Sequence, residues 1–136
     1  MGDKYITEEG KEQLLRLGFL NDNNSNNFNF LALGVTGSTG STQGTSGFRE
    51  ADGYNYERAI LVEEKNEDST GSSLSISATF GDDNFNRSEG STVTEIGIVN
   101  QKDPSNNDKW FAFMSVPNIV KNSNISLKYT IVISIE

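Results

Sequence analysis

The sequence predicts a mainly β fold, an antiparallel β-sandwich of about six to eight strands with one short N-terminal helix. Two observations predict it. Short runs rich in Val, Ile, Thr and Phe alternate apolar with polar residues, and segments rich in Gly, Asn, Asp and Ser separate these runs. Only 34% of the 136 residues are hydrophobic, which fits many short strands joined by polar turns better than a helical bundle. Residues 1–136 are expected to form a single domain.

The helix is predicted at about residues 7–18. Thr7 is a suitable N-cap and is followed by two glutamates, whose negative charge suits the start of a helix. Leu14 and Leu17 share one face, and Gly18 can end the helix in a left-handed conformation. Such a short helix must pack against the rest of the chain, because alone it would not persist in water.

Six strands are predicted from apolar runs and alternation, at residues 28–34, 56–63, 73–80, 91–99, 110–116 and 125–135. The clearest alternation lies in 73–80, whose Ser and Thr residues are expected to line a solvated face, and in 125–135. Pro117 is expected to end the strand that begins at Trp110. Ile119 and Val120 are then expected to pack a loop against the core.

The stretch from about residue 36 to residue 47 is predicted to be a flexible loop, because it consists mostly of Gly, Ser and Thr and carries no charge. One interpretation is a loop that is mobile in every setting. The other is a docking segment that becomes ordered on a neighbouring subunit. The candidate docking residues are Gly37, Gly40, Gln43, Gly44 and Gly47.

Glu95 is the unusual residue of the 91–99 strand, which is apolar on both faces and therefore expected to be central. A carboxylate in a covered strand needs a cation or several backbone N–H donors. The favoured partner is Arg58, whose guanidinium can hold a carboxylate through two hydrogen bonds. Gly97, two residues further on, leaves room for another backbone or a bulky ring.

Composition argues against several kinds of chemistry. The chain has no Cys, so it has no disulfide and no thiol nucleophile. It also has no His, the residue that most often serves as a general base or a zinc ligand. Asp22, Asn24 and Asn26 resemble the opening of a calcium loop, but Asn27 replaces the required Gly and Leu33 the required Glu. We therefore expect no metal and no cofactor.

Catalysis is not expected either. Glu57, Glu63, Glu64 and Glu95 could be combined into a glycosidase-like carboxylate pair, but surface charges on a β protein explain the first three equally well. An aromatic platform for sugars is a further alternative, formed by Tyr54, Tyr56, Trp110 and Phe111. A formal charge of −8 argues against nucleic acid, and no run has the length of a membrane span.

The segment Glu95-Ile96-Gly97-Ile98 resembles the Glu-Ile-Gly-Leu signature found near the N-terminus of many phage tail-fibre proteins. The order of the other segments is similar too. Ile6-Thr7 with Gly10 corresponds to an early helix that contains Gly, and Phe28 to Gly34 corresponds to a first strand that ends in Gly. Glu57-Arg58 corresponds to a Glu-Arg element, and Lys128 to Ile135 corresponds to the last alternating strand. The resemblance therefore spans most of the chain through short motifs.

The resemblance implies a non-enzymatic virion structural protein of a tailed bacteriophage. Because the fibres of that family are much longer than 136 residues, a tail-fibre-attachment, baseplate, collar or adaptor subunit is expected rather than a receptor-binding fibre. A capsid decoration protein, a carbohydrate-binding module and a small hydrolase are the alternatives. The implied partners are other virion proteins and copies of the chain in a symmetric homo-oligomer, and the implied location is the virion, assembled in the host cytoplasm.

Overall fold

The structure, a computed structural model, describes residues 27–35, 40–43, 47–64 and 73–134. These residues form nine strands and no helix, so the prediction of a mainly β fold is confirmed. The helix predicted at about residues 7–18 lies outside the described residues. No helix in the described part could cross a membrane. The strands are β1 (Phe30–Val35), β2 (Gly40–Gln43), β3 (Phe48–Ala51), β4 (Ala59–Ile60), β5 (Val62–Glu63), β6 (Ser73–Phe80), β7 (Ser91–Val99), β8 (Trp110–Lys121) and β9 (Leu127–Ser134).

The strands form two sheets, and all the pairings among them are antiparallel. The larger sheet has the order β2-β3-β1-β7-β8, with β4 also paired to β1, and the smaller has the order β5-β6-β9. The second predicted strand, 56–63, is divided between the sheets. Leu61 lies at the crossing point, where it is buried and its N–H donates to the carbonyl of Asn29 at 2.8 Å.

The core lies between the two sheets. Alternate residues of β1 and β7 face alternate residues of β6 and β9, as the period of two requires. The buried residues that meet there include Leu31, Leu33, Ile96 and Ile98 from the larger sheet and Leu74, Ile76, Phe80 and Leu127 from the smaller one. Burying each of these side chains stabilises the fold by about 1.5–3 kcal/mol before entropic costs.

Pro117 does not end β8, which continues to Lys121. Val93 pairs with Ile119 and Glu95 pairs with Ser115, so residues 116–118 lie opposite Thr94 alone. This irregularity is a bulge, where a residue without an N–H removes no ladder hydrogen bond. The prediction that Pro117 stops the strand was wrong. The prediction for 119–120 was wrong as well, because Ile119 and Val120 lie in the strand with exposed side chains.

Part of the predicted flexible loop is a strand. Gly40–Gln43 forms β2, which pairs with β3 in a continuous register from Gly40 opposite Ala51 to Gln43 opposite Phe48. Gly47, at the turn before β3, has a φ of 79°, a conformation that favours glycine. Gly37 and Gly44 lie outside the described residues. The hairpin corrects the prediction of a loop through residues 40–43, and β3 itself was not predicted.

The hydroxyl-bearing face of β6 is less solvated than the alternation predicted. Ser75 and Ser77 are both buried, whereas Thr79 on the same face is exposed. Ser77 pairs with Val62 of β5 and Ser75 with Val132 of β9, so two valines flank the serines on the outer face of the smaller sheet. The hydroxyl of Ser77 donates to Oε1 of Glu64 at 2.7 Å, so part of this face is occupied by a hydrogen bond within the chain.

Candidate functional site

The outer face of the larger sheet, the face turned away from the core, holds the cluster of charged and aromatic groups. Glu50 of β3 lies opposite Gly34 of β1, which lies opposite Glu95 of β7. Directly opposed residues of antiparallel strands project to the same face. The two carboxylates therefore flank a glycine on one face of the sheet, with the width of β1 between them.

Two glycines on this face make room for aromatic rings. A Cβ on Gly34 would lie 2.6 Å from Cε1 of Phe48, and a Cβ on Gly97 would lie 2.8 Å from Cζ3 of Trp110. Phe48, Trp110 and Phe113 form an aromatic cluster, with ring centroids 4.8 to 5.3 Å apart. The expectation that Gly97 admits a bulky ring is confirmed.

Arg58 is buried at the centre of the site and uses all its donors. Its Nε and Nη2 each donate to Glu50 at 2.7 Å, a two-pronged pair. Its Nη1 and Nη2 donate to Asp108 at 3.0 and 2.8 Å, and Nη1 also donates to the carbonyl of Gln101 at 3.0 Å. A guanidinium has five N–H groups, and these five bonds occupy them all.

The predicted pair of Glu95 with Arg58 was wrong in its partner. Arg58 is buried and makes the expected two-pronged ion pair, but the pair is with Glu50. Glu95 is half-buried and lies on the far side of Gly34 from Glu50. Arg58 directly precedes β4, which pairs with β1 on the same side as β3. Its side chain therefore lies beside Glu50 of β3, whereas Glu95 of β7 lies on the other side of β1.

Tyr56 ties this ion pair to the edge of β1. Its hydroxyl donates to Oε2 of Glu50 at 2.6 Å and accepts from the backbone N–H of Leu33 at 3.1 Å. It therefore supplies an acceptor to β1 in the gap between its two neighbours on this side, β3 and β4. The ring packs edge-on against Phe85, with centroids 5.8 Å apart. We refer to Glu50, Tyr56, Arg58 and Asp108 as the Arg58 network.

The electrostatics of the network keep Arg58 charged and Tyr56 neutral. Burial alone would lower the pKa of Arg58, but the hydrogen bonds to Glu50 and Asp108 outweigh it and raise that pKa. Burial raises the pKa of Tyr56 well above its ordinary value, and the neighbouring charge of Glu50 raises it further. The guanidinium also lies 5.1 Å from the ring centroid of Trp110, within range of a cation–π interaction.

Asp108 links the network to the loop between β7 and β8. Its carboxylate accepts from the N–H of Ser105 at 3.2 Å while it binds Arg58, and its own N–H donates to the Ser105 carbonyl. The side chain of Asn100 closes the base of the loop by accepting from the N–H of Lys109 at 2.7 Å. Since Arg58 has no spare donor, the arrangement joins β3, β1 and this loop rather than presenting a free cation to a ligand.

The other sequence-predicted groups are not brought together as proposed. Tyr56 belongs to the Arg58 network, and Trp110 belongs to the aromatic cluster with Phe48 and Phe113. The four aromatic residues considered as a sugar platform therefore do not share one surface. Tyr54 is exposed beneath the guanidinium of Arg87, 5.7 Å from its ring centroid, and Phe111 is exposed in β8. The described residues contain no group of three or more acidic side chains that could hold a metal ion.

Sequence reasoning missed Glu50, Asp108 and Phe48, three of the residues that build the site. The segment Phe48-Arg49-Glu50-Ala51 follows a glycine turn and alternates apolar with charged residues, but it is only four residues long. Asp108 ends a polar turn of a kind that occurs throughout the chain. A search for a short strand after Gly47 would have placed Phe48 and Glu50 on one face.

The fold and the site define a β-sandwich in which a buried ion network fastens a loop to the outer face of one sheet. Such a network contributes to a fixed shape, because each charged group leaves its partners unsatisfied if it moves. Comparison with protein-family models, with curated proteins and with solved structures finds no match to this chain.

Proposed function

We propose that the chain is a non-enzymatic structural protein of a tailed-phage virion, serving as a tail-fibre-attachment, baseplate, collar or adaptor subunit. The observation that carries the proposal is the place of the Glu95-Ile96-Gly97-Ile98 segment. This segment, which resembles the tail-fibre signature, lies in β7 between β1 and β8, and Gly97 receives the ring of Trp110. The motif is thus part of the scaffold that positions the Arg58 network.

The chemistry of the network supports a scaffold role. Every donor of Arg58 is committed within the chain, and the hydroxyl of Tyr56 is engaged both as donor and as acceptor. A surface whose loops are held by internal bonds loses little conformational entropy when it binds a neighbour. A subunit of a symmetric particle benefits from this, since it makes the same contact many times.

Exposed apolar side chains supply surfaces for such contacts. Ile60, Val62, Phe111 and Val132 are each about half exposed or more. Val62 and Val132 lie on the outer face of one sheet, where they flank buried serines, and are therefore not randomly scattered. Apolar surface of this kind on an acidic protein suits association with other proteins.

Mass spectrometry of purified particles tests the proposal. Virions are banded on a density gradient, and peptides of this chain are quantified against the major capsid protein in each fraction. The expected result is a constant ratio across the particle band, with a host cytoplasmic enzyme as the control that does not follow the band. Peptides that stay with the host enzyme and not with the particles would contradict a virion role.

The proposed docking segment, residues 37–47, can be tested on the same material. Its middle forms the outermost strand of the larger sheet, so contact with a neighbour there would protect the hairpin. A broad-specificity protease is expected to cleave the free protein within this segment and to leave it intact in the particle. Equal cleavage rates in both samples would move the docking surface elsewhere.

A further inference from the structure

The end strands of the two described sheets are β2 and β8 in the larger sheet and β5 and β9 in the smaller one. The two long end strands, β8 and β9, differ in how well they are guarded against pairing with another strand. β8 ends the larger sheet and contains Pro117 in a bulge, with a second irregularity opposite Ile98 and Val99. Prolines and bulges are devices that prevent edge strands from pairing with other chains. β9 ends the smaller sheet and has neither.

β9 is regular over its whole length. Its eight residues pair with β6 without a register shift, from Leu127 opposite Phe80 to Ser134 opposite Ser73. Lys128 is its one charged residue, and the Nζ of Lys128 lies 2.6 Å from a carboxylate oxygen of Glu64. A long, regular edge with so little charge is a template for a further strand.

The side chains of β9 are also incompletely covered. Val132, on the outer face, is 60% exposed, the largest value among the big apolar side chains of the described residues. On the opposite face Tyr129, Ile131 and Ile133 pack against the core while remaining partly exposed. A strand laid along β9 would cover both faces at once.

We propose that β9 pairs edge to edge with β9 of a second copy of this chain, antiparallel about a twofold axis near Ile131. The two three-stranded sheets then join into one continuous sheet across the dimer. This inference deepens the proposed function, and it rests on that function only for the expectation that copies of the chain meet.

The second copy is the occupant because the edge is complementary to itself. An antiparallel pair centred on Ile131 sets core-facing residues opposite core-facing residues and outward residues opposite outward ones. The pairs are Ile131 with the partner's Ile131, Tyr129 with the partner's Ile133, Thr130 with the partner's Val132 and Lys128 with the partner's Ser134. No charge meets a like charge directly, although the chain as a whole carries a formal charge of −8.

The other edge of the same sheet offers a matched contrast. β5 has only two residues, Val62 and Glu63, so it is too short for a stable pairing. Val62 nevertheless projects from the same outer face as Val132, since both lie beside outward-facing serines of β6. The two valines are 49% and 60% exposed, so Val→Lys at each position compares the two edges at nearly equal exposure.

Sedimentation velocity of the full chain at concentrations up to roughly 1 mM, where even weak association is populated, is the experiment. The wild type and Val62→Lys are expected to form dimers. Val132→Lys is expected to associate at least about tenfold more weakly, because each new ammonium lies diagonally beside the partner's Lys128. Circular dichroism and thermal melting establish that each variant is folded.

Disulfide trapping keeps the test independent of the lysine variant. The chain has no Cys, and Thr130→Cys combined with Val132→Cys places thiols opposite each other across the proposed axis. Mild oxidation is expected to give a covalent dimer that reductant separates. The lysine variant cannot serve as the control here, because position 132 already carries the cysteine. Thr92→Cys in β7 is therefore the control for random cross-linking.

Three results would overturn the proposal: a monomer at every concentration, equal association of Val132→Lys and Val62→Lys, or cross-linking no greater than in the control. Hydrogen exchange adds a fourth. Slow exchange of the outward β9 amides at every concentration would mean that the edge is covered within one chain. If the chain is a monomer but is present in virions, only the dimer proposal fails. If the chain dimerises but is absent from virions, the proposed virion role fails.

Discussion

The two faces of the larger sheet are built on different principles. The inner face of β1 and β7 presents aliphatic side chains at alternate positions, and these pack against the smaller sheet. The outer face presents Gly34 and Gly97, over which aromatic rings lie, and the buried ion pair of Arg58 with Glu50. One face is held by apolar area, the other by a fitted arrangement of rings and charges.

This difference teaches where the chain tolerates change. An aliphatic core accepts substitutions of similar size at a cost that is usually under about 1.5 kcal/mol. A buried charge network has no such tolerance, because removing one partner leaves the others desolvated and unpaired. We therefore expect the outer face to be the more sensitive one, although it buries fewer apolar groups.

The largest effect is expected at Arg58. Arg58→Leu leaves the carboxylates of Glu50 and Asp108 buried without their cation, which should lower the free energy of unfolding by about 3–5 kcal/mol. Arg87→Leu is the matched control, since Arg87 pairs with an exposed Glu89 and such pairs contribute about 0–1 kcal/mol. Urea denaturation of both variants measures the difference. Similar losses in the two would show that the network carries no special weight.

A smaller effect is expected at Gly97. Gly97→Ala places a Cβ 2.8 Å from the ring of Trp110 and 3.2 Å from that of Phe113, and relieving this overlap should cost about 1–3 kcal/mol. Ile98→Val, one residue away on the inner face, should cost about 0.5–1.5 kcal/mol. Thermal and urea unfolding of the two variants compare the faces directly. An alanine at position 97 that costs nothing would mean that the rings shift freely.

The smallest effect depends on pH and involves Tyr56. Because its pKa is raised in the folded protein, the folded state keeps the phenol proton above pH 10 while the unfolded state loses it. Stability from this group is present below about pH 10 and falls as the pH rises, by at most about 1.4 kcal/mol per pH unit. Tyr56→Phe should flatten the alkaline part of the stability curve.

Tyr54→Phe is the control for that measurement, because Tyr54 is exposed and its ring lies beneath the guanidinium of Arg87. Unfolding curves between pH 8 and 11 are compared for the three proteins. An alkaline slope in Tyr56→Phe as steep as that of the wild type would place the responsible group elsewhere, with the partly buried Tyr129 as the next candidate, since burial raises its pKa too.

The inner face could be predicted from the sequence because its signal is local. Alternation in 73–80 gives β6 with the correct bounds, and the alternation in 125–135 gives most of β9. The alternation, with a period of two residues, shows which residues share a face of the strand. The hydrophobic effect then decides which of the two faces is buried. Neither step requires knowledge of which strands are neighbours.

The outer face could not be predicted in this way. Glu50 and Asp108 are 8 and 50 residues from Arg58 in sequence, and they meet it only because β3 and the β7–β8 loop lie on either side of its guanidinium. Periodicity identified Glu95 as a carboxylate in a covered strand but gave no order of strands. The bulge at Pro117 was missed for a related reason, since its tolerance depends on β8 being an edge strand.

A pair of double-mutant cycles tests most directly whether Arg58 holds the outer face through Glu50. One cycle combines Arg58→Leu with Glu50→Gln, and the other combines it with Glu95→Gln, a carboxylate on the same face beyond Gly34. The first should give a coupling free energy of about 1–3 kcal/mol, and the second should be additive within about 0.5 kcal/mol. Strong coupling to Glu95, or additivity with Glu50, would contradict the arrangement described above.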